Sequence, residues 1–251
     1  MAFYDLSKEE RSQLIGTIHE AILEGLRKKD DGIFLAYFED EDTYVRKAAY
    51  QAIGRIYLAH NLAQTAIIAS LNRLLISPNE KVRQTTVNAA GEIGMEQFGV
   101  VQSIFDTALF DEHHSVRNAV IGSIKKMSQK NPTPTLTWAK KYLHHQDKEI
   151  RREICHGIEL RGRTHPEDIL PLLKALQHDE TARVKNTLIH VLGQIAYKKG
   201  CLEKVVSHLK SWENKEVVDK ALDEIVDVHQ RYAKFSHYTQ KEAIEYIDKA
   251  F

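Results

Sequence analysis

From Thr43 onward, apolar and small side chains return every three or four positions, the period of one face of an α-helix. The first clear run is Val45, Ala48, Ala52, Ile53 and Ile56, with charged and amide residues filling the positions between. That run has copies. A branched apolar residue with an apolar or small residue eight positions later stands at Val45, Val82, Val116, Ile150, Val184 and Val218, separated by 37, 34, 34, 34 and 34 residues. Arg46, Arg83, Arg117, Arg151 and Lys185 follow the first five anchors, and Asp219 breaks the pattern at the last. Independent helices have no reason to keep so constant a step, so the chain is a tandem array.

Each copy carries a second apolar segment upstream of its anchor: residues 32–38, 65–76, 100–110, 136–143, 168–176 and 205–212. A short polar turn such as SPNE at 77–80 or HQDKE at 145–149 separates the two segments and supplies side chains able to accept from the free backbone N–H groups of a helix start. The repeating unit is therefore a helical hairpin. Gly54, Gly91 and Gly193 stand nine residues after their anchors. Glycine inside a helix costs about 1 kcal/mol against alanine, so its return at one register predicts close approach of a neighbouring helix.

A turn residue of the type Asp40, Asp111 or Asp179, six positions before a basic residue and a small, aliphatic second helix, resembles the HEAT repeat over residues 30–233. The resemblance implies an all-α, right-handed superhelix of about six hairpins. It also implies a ladder in which Asp40, Asp111 and Asp179 pair with basic residues at the joints between repeats, interrupted at Ser77, His145 and Asp219. Residues 1–29, with the capping-box pair Ser7 and Glu10, read as an N-terminal capping helix, and 234–251 as a C-terminal cap, giving one solenoid over 1–251.

Composition narrows the function classes. Lys+Arg and Asp+Glu each number 35, so no global cationic field announces a nucleic-acid binder, although residues 136–200 carry 12 basic against 8 acidic groups. Cys155 and Cys201 show no metal or redox spacing and suit a reducing, cytoplasmic setting. No apolar stretch approaches the ~18 residues of a membrane span.

Phosphate-cradling loops, a serine elbow and HExxH are all missing, so no catalytic, cofactor-binding or metal-ligating residue is assigned. The pairs His113-His114 and His144-His145 read as solvated turns, the acids at 39–42 as partners of a helix start, and Phe34, Tyr37, Phe38, Trp138 and Trp212 as core. What remains is the face of the second helices that points away from the core stripe. Two and six residues after the anchors it presents Lys47, Gln51, Gln84, Asn88, Asn118, Arg152, His156, Asn186, His190 and Lys220, with Gly122 and Glu224 completing the two rows. Such a concave, mostly non-acidic face suits a macromolecular partner, foremost a protein, on a non-enzymatic scaffold. Residues 150–212 also resemble the HEAT-like repeats of DNA alkylation repair glycosylases. That resemblance implies the alternative of a nucleic-acid binder, with Arg151, Arg152, Arg161, Arg163, Lys185, Lys198 and Lys199 as phosphate contacts.

Overall fold

The computed structural model describes residues 3–30 and 32–251, with the side chains of Ile33 and Phe34, the former a neighbour of the expected core Phe34, lying outside the described residues. Fourteen α-helices and no strand are found among the described residues. They are α1 (Lys8–Lys28), α2 (Gly32–Phe38), α3 (Thr43–Ala59), α4 (Gln64–Leu74), α5 (Glu80–Ala108), α6 (His114–Lys130) and α7 (Pro132–Lys140). There follow α8 (Lys148–Gly157), α9 (Glu159–Gly162), α10 (Pro166–Lys174), α11 (Ala182–Ala196), α12 (Leu202–Leu209), α13 (Lys215–Arg231) and α14 (Gln240–Ala250). None is long and apolar enough to cross a membrane. The helices form two compact units, Met1–Asn131 and Pro132–Phe251.

In the first unit α1 caps three hairpins. Ser7 and Glu10 form the expected reciprocal cap at its start, and Lys29, with φ 55°, ends it in the left-handed conformation. Of the anchors, Val82, Val116, Ile150, Val184 and Val218 are all buried. Val45 is half-buried, because α1 rather than a preceding hairpin covers α3. The second helix of the second hairpin and the first helix of the third run together as α5, broken only at Gln97 (φ −133°, ψ 67°). Gly94 and Gly99 flank the break, and the Asn131 amide donates to the carbonyl oxygens of Gly94 and Glu96, both at 3.3 Å, satisfying acceptors that the interruption leaves over. The passage from the second hairpin to the third is therefore a kink rather than a turn.

The second unit holds three further hairpins and α14, whose start is capped reciprocally by Thr239 and Glu242. Trp138 and Trp212 are buried as expected, the latter donating from its indole nitrogen to His208 Nδ1 at 2.9 Å. Pushed up by burial, the thiols of the free cysteines Cys155 and Cys201 are poor nucleophiles. The second helix of its first hairpin is interrupted at Ile158, between α8 and α9, directly after Gly157.

The arginines after the first four anchors have a local task that the sequence pattern alone does not reveal. Arg46, Arg83, Arg117 and Arg151 each donate from Nη1 to two carbonyl oxygens of their own hairpin turn, five and six residues upstream. Arg83 and Arg151 also reach the next hairpin. Arg83 forks onto Asp111 at 2.7 and 3.0 Å, and Arg151 onto Asp179 at 2.5 and 3.2 Å. The third expected rung is different: Asp40 has no preceding hairpin arginine to meet, and its carboxylate accepts from the backbone N–H of Asp42 at 2.7 Å.

Candidate binding face of the second helices

In the first unit α3, the first part of α5, and α6 carry the outward rows. Lys47 and Asn118 are exposed, while Gln51, Gln84 and Asn88 are half-buried. Gln84 donates to the Ser115 carbonyl at 3.4 Å and Asn88 to the Gln84 carbonyl at 3.1 Å, which holds both amides in place. Helices approach closely here. A Cβ on Gly54 would sit 2.6 Å from Glu92 Cβ, and one on Gly91 would sit 2.8 Å from Ser123 Cβ, so both glycines serve the contact their register predicts. Beside them, a small groove of about 200 Å³ is lined by Gln51, Gly54, Arg55, Leu58, Glu92 and Met95, among others.

The second unit presents a different chemistry. Arg152, His156, Asn186 and His190 line an open groove of about 590 Å³ together with Arg183 and Thr187. Arg152 Nε donates to Glu149 Oε2 at 3.0 Å and its Nη2 to Glu153 Oε1 at 3.3 Å, while Arg183 Nε lies 3.2 Å from Glu149 Oε1. His156 Nε2 is 3.3 Å from Glu159 Oε2, and His190 Nδ1 is 3.7 Å from Glu224 Oε1. Lys220, in α13, pairs with Glu216 at 2.7 Å.

These contacts add acids to a face whose two rows hold only Glu224. Glu149, Glu153 and Glu159 lie off the two rows in sequence, yet the helix turn brings their carboxylates among the row's cations and imidazoles. One signal could have found Glu159: it occupies the ninth position after Ile150, where Gly54, Gly91 and Gly193 stand in other repeats. The segment 150–212 is likewise not a strip of unpaired cations. Arg151 is the rung to Asp179, Arg161 pairs with Asp168 at 2.7 Å, and Arg163 pairs with Glu159. Of the lysines, Lys198 lies 4.4 Å over the Tyr197 ring, Lys199 is exposed and Lys185 is half-buried.

A family model described as sister chromatid cohesion protein PDS5 matches residues 32–249, nearly the whole chain. The chain belongs to that family. No curated protein matches it. Among solved structures, this PDS5-family chain is similar to one from work describing how Crescerin uses a TOG domain array to regulate microtubules in the primary cilium. The TM-score is 0.51 at 18% identity, covering 82% of this chain and 90% of that one. An archaeal HEAT-like repeats protein from Thermococcus onnurineus NA1 gives a TM-score of 0.41 at 16% identity, with coverages of 89% and 98%. A computationally designed armadillo repeat protein for modular peptide recognition gives 0.36 at 18%, with coverages of 74% and 94%. At 18% identity the likeness to the first of these shows fold alone.

Proposed function

We propose that this PDS5-family chain is a non-enzymatic scaffold that holds a protein partner along the outward side of its second helices. In the first unit the binding row is Lys47, Gln51, Gln84, Asn88 and Asn118; in the second it is Arg152, His156, Asn186, His190 and Lys220. The amide character of the first row carries this reading. Asparagine and glutamine each offer both a donor and an acceptor, as a polypeptide backbone does, and here they recur from one hairpin to the next on adjoining helices. A nucleic-acid phosphate chain asks instead for cations able to release counterions, and Arg151, Arg152, Arg161 and Arg163 are already engaged with carboxylates. The family's description supports seeking the partner among proteins of sister chromatid cohesion.

The test is capture of proteins from native extract by the full chain and by two variants. One carries Gln84→Glu, Asn88→Glu and Asn118→Glu; the control carries Ser103→Glu and Thr107→Glu on exposed positions of the second part of α5. The expected result is a discrete protein captured by the parent and the control and lost from the first variant. Capture indifferent to the amide row, or abolished by nuclease treatment, overturns the proposal.

A further inference from the structure

Two histidines at the same register of consecutive repeats, His156 and His190, face one another in the second unit with ring centroids 6.2 Å apart. Between them rises Glu159, whose side chain is only 2% exposed. A ligand atom from each of the three lies within 4.8 Å of the others. We propose that His156, Glu159 and His190 form a binding site for a zinc-like divalent cation, clipping α8–α9 to α11.

Three observations converge on it. Ligand atoms held 2.0–2.2 Å from a tetrahedral zinc lie about 3.3–3.6 Å from each other. His156 Nε2 and Glu159 Oε2 stand at 3.3 Å, already the edge of that tetrahedron. The His190 ring is 43% exposed and closes the remaining gap by a side-chain rotation of about 1 Å, small against the freedom of an exposed ring. Second, the carboxylate is built in rather than displayed. Arg163 donates to Glu159 Oε1 and, at 2.7 Å, to Gln194 Oε1, so the opposite oxygen is held toward His156. Conserving such outer contacts is how proteins orient metal ligands. Third, the site opens on the 590 Å³ groove, which gives an entry path and a fourth position for water or for a ligand from a bound partner. The nearby cations Arg152 and Arg183 are neutralised by Glu149 and Glu153, and Glu224 flanks His190. Two imidazoles and one carboxylate select zinc-like ions over magnesium or calcium, which ask for oxygen cages.

Isothermal titration of the full chain with zinc, and visible spectroscopy with cobalt as its stand-in, test the site. The expected result is one saturable equivalent, a tetrahedral cobalt spectrum, and no response to magnesium. His156→Asn or His190→Asn should each weaken binding at least tenfold and erase the spectrum, while the double variant His144→Asn/His145→Asn leaves both unchanged. Because both row histidines are partly exposed, unaltered circular dichroism confirms that these variants fold. Absence of saturable zinc binding, or binding that survives His156→Asn/His190→Asn, overturns the proposal, as does binding lost only when His144 and His145 are replaced.

Discussion

At the scale of single residues, the arginines that follow the first four anchors and one buried histidine carry separable, measurable loads. Arg83 and Arg151 each satisfy two turn carbonyls and fork onto a mostly buried aspartate of the next hairpin, whereas Arg46 makes only the turn contacts and a bond to Thr43. Removing the guanidinium strands a shielded carboxylate, so Arg83→Ala and Arg151→Ala should each cost about 2–3 kcal/mol against about 1 kcal/mol for Arg46→Ala, read from urea midpoints at constant slope. Burial alone would raise the Asp111 and Asp179 carboxyls, but the arginine contacts together with hydrogen bonds from His113 to Asp111 and from Thr181 to Asp179 outweigh it and lower both. Their contribution is therefore complete above the ordinary aspartate value of 3.8 and is lost as pH falls below it. His229 acts at milder pH. It occupies the stripe position held by Ile56, Ile93, Met127 and Ile195 in other repeats; its Nδ1 donates to the Ile225 carbonyl at 2.7 Å, and its buried Nε2 meets no hydrogen-bond partner among the described residues. Burial lowers its pKa from 6.5, so on acidification the unfolded chain takes up a proton that the folded chain resists, and stability drops as pH falls below about 6.5. His229→Ile should raise stability by about 1 kcal/mol at pH 7 and flatten the decline in melting temperature between pH 7 and 5; an unchanged slope would remove His229 from this account.

At the scale of elements, glycine separates positions where two helices touch from positions where none do. Gly91→Ala and Gly54→Ala drive a methyl group against Cβ atoms that cannot rotate away, Ser123 at 2.8 Å and Glu92 at 2.6 Å, so each should destabilise by about 1–3 kcal/mol despite the better helix propensity. Gly122, also within a helix, has nothing within 4 Å of its absent Cβ, and Gly122→Ala should stabilise by about 0.5–1 kcal/mol. Thermal melts of the three variants decide it: equal signs would deny that helix approach sets the glycine register. The contrast also marks what could be read from the chain. The helical hairpins and the anchors follow from periodicity, which reports the buried stripe of each helix directly. The break at Gln97, by contrast, is a local choice between a loop and a kink, decided by an asparagine amide 34 residues away. The acids of the outward face stayed hidden for a related reason. Selecting two register positions per helix misses Glu149 and Glu153, which lie a turn or less from the rows and reach them by side-chain length, and Glu159 lies past an interruption that periodicity does not show.

At the scale of the whole molecule, stacked hairpins derive stability from nearest neighbours, so where the chain can be cut depends on which faces a cut uncovers. The first unit, residues 1–131, ends after α6 and keeps α1 over its first hairpin; the second, 132–251, begins with α7 and keeps α14 over its last. Each retains three hairpins and a terminal helix with a reciprocal cap at its start. Both fragments should therefore be helical and melt cooperatively. Shortening the first to residues 1–111 removes α6, whose Ser123 seats against Gly91 and donates to the Val87 carbonyl at 3.4 Å, and whose Val116, Val120, Ile124 and Met127 are buried. That deletion bares the face of α5 that carries Gly91 and Gly94, and four lost apolar side chains at about 1.5–3 kcal/mol each are comparable to the whole stability of a domain of this size. Circular dichroism and urea titration of the three fragments should show two sharp transitions and one broad or missing one. If 1–111 unfolds as sharply and at the same urea concentration as 1–131, the hairpins do not depend on their neighbours, and the description of this chain as a coupled repeat array fails.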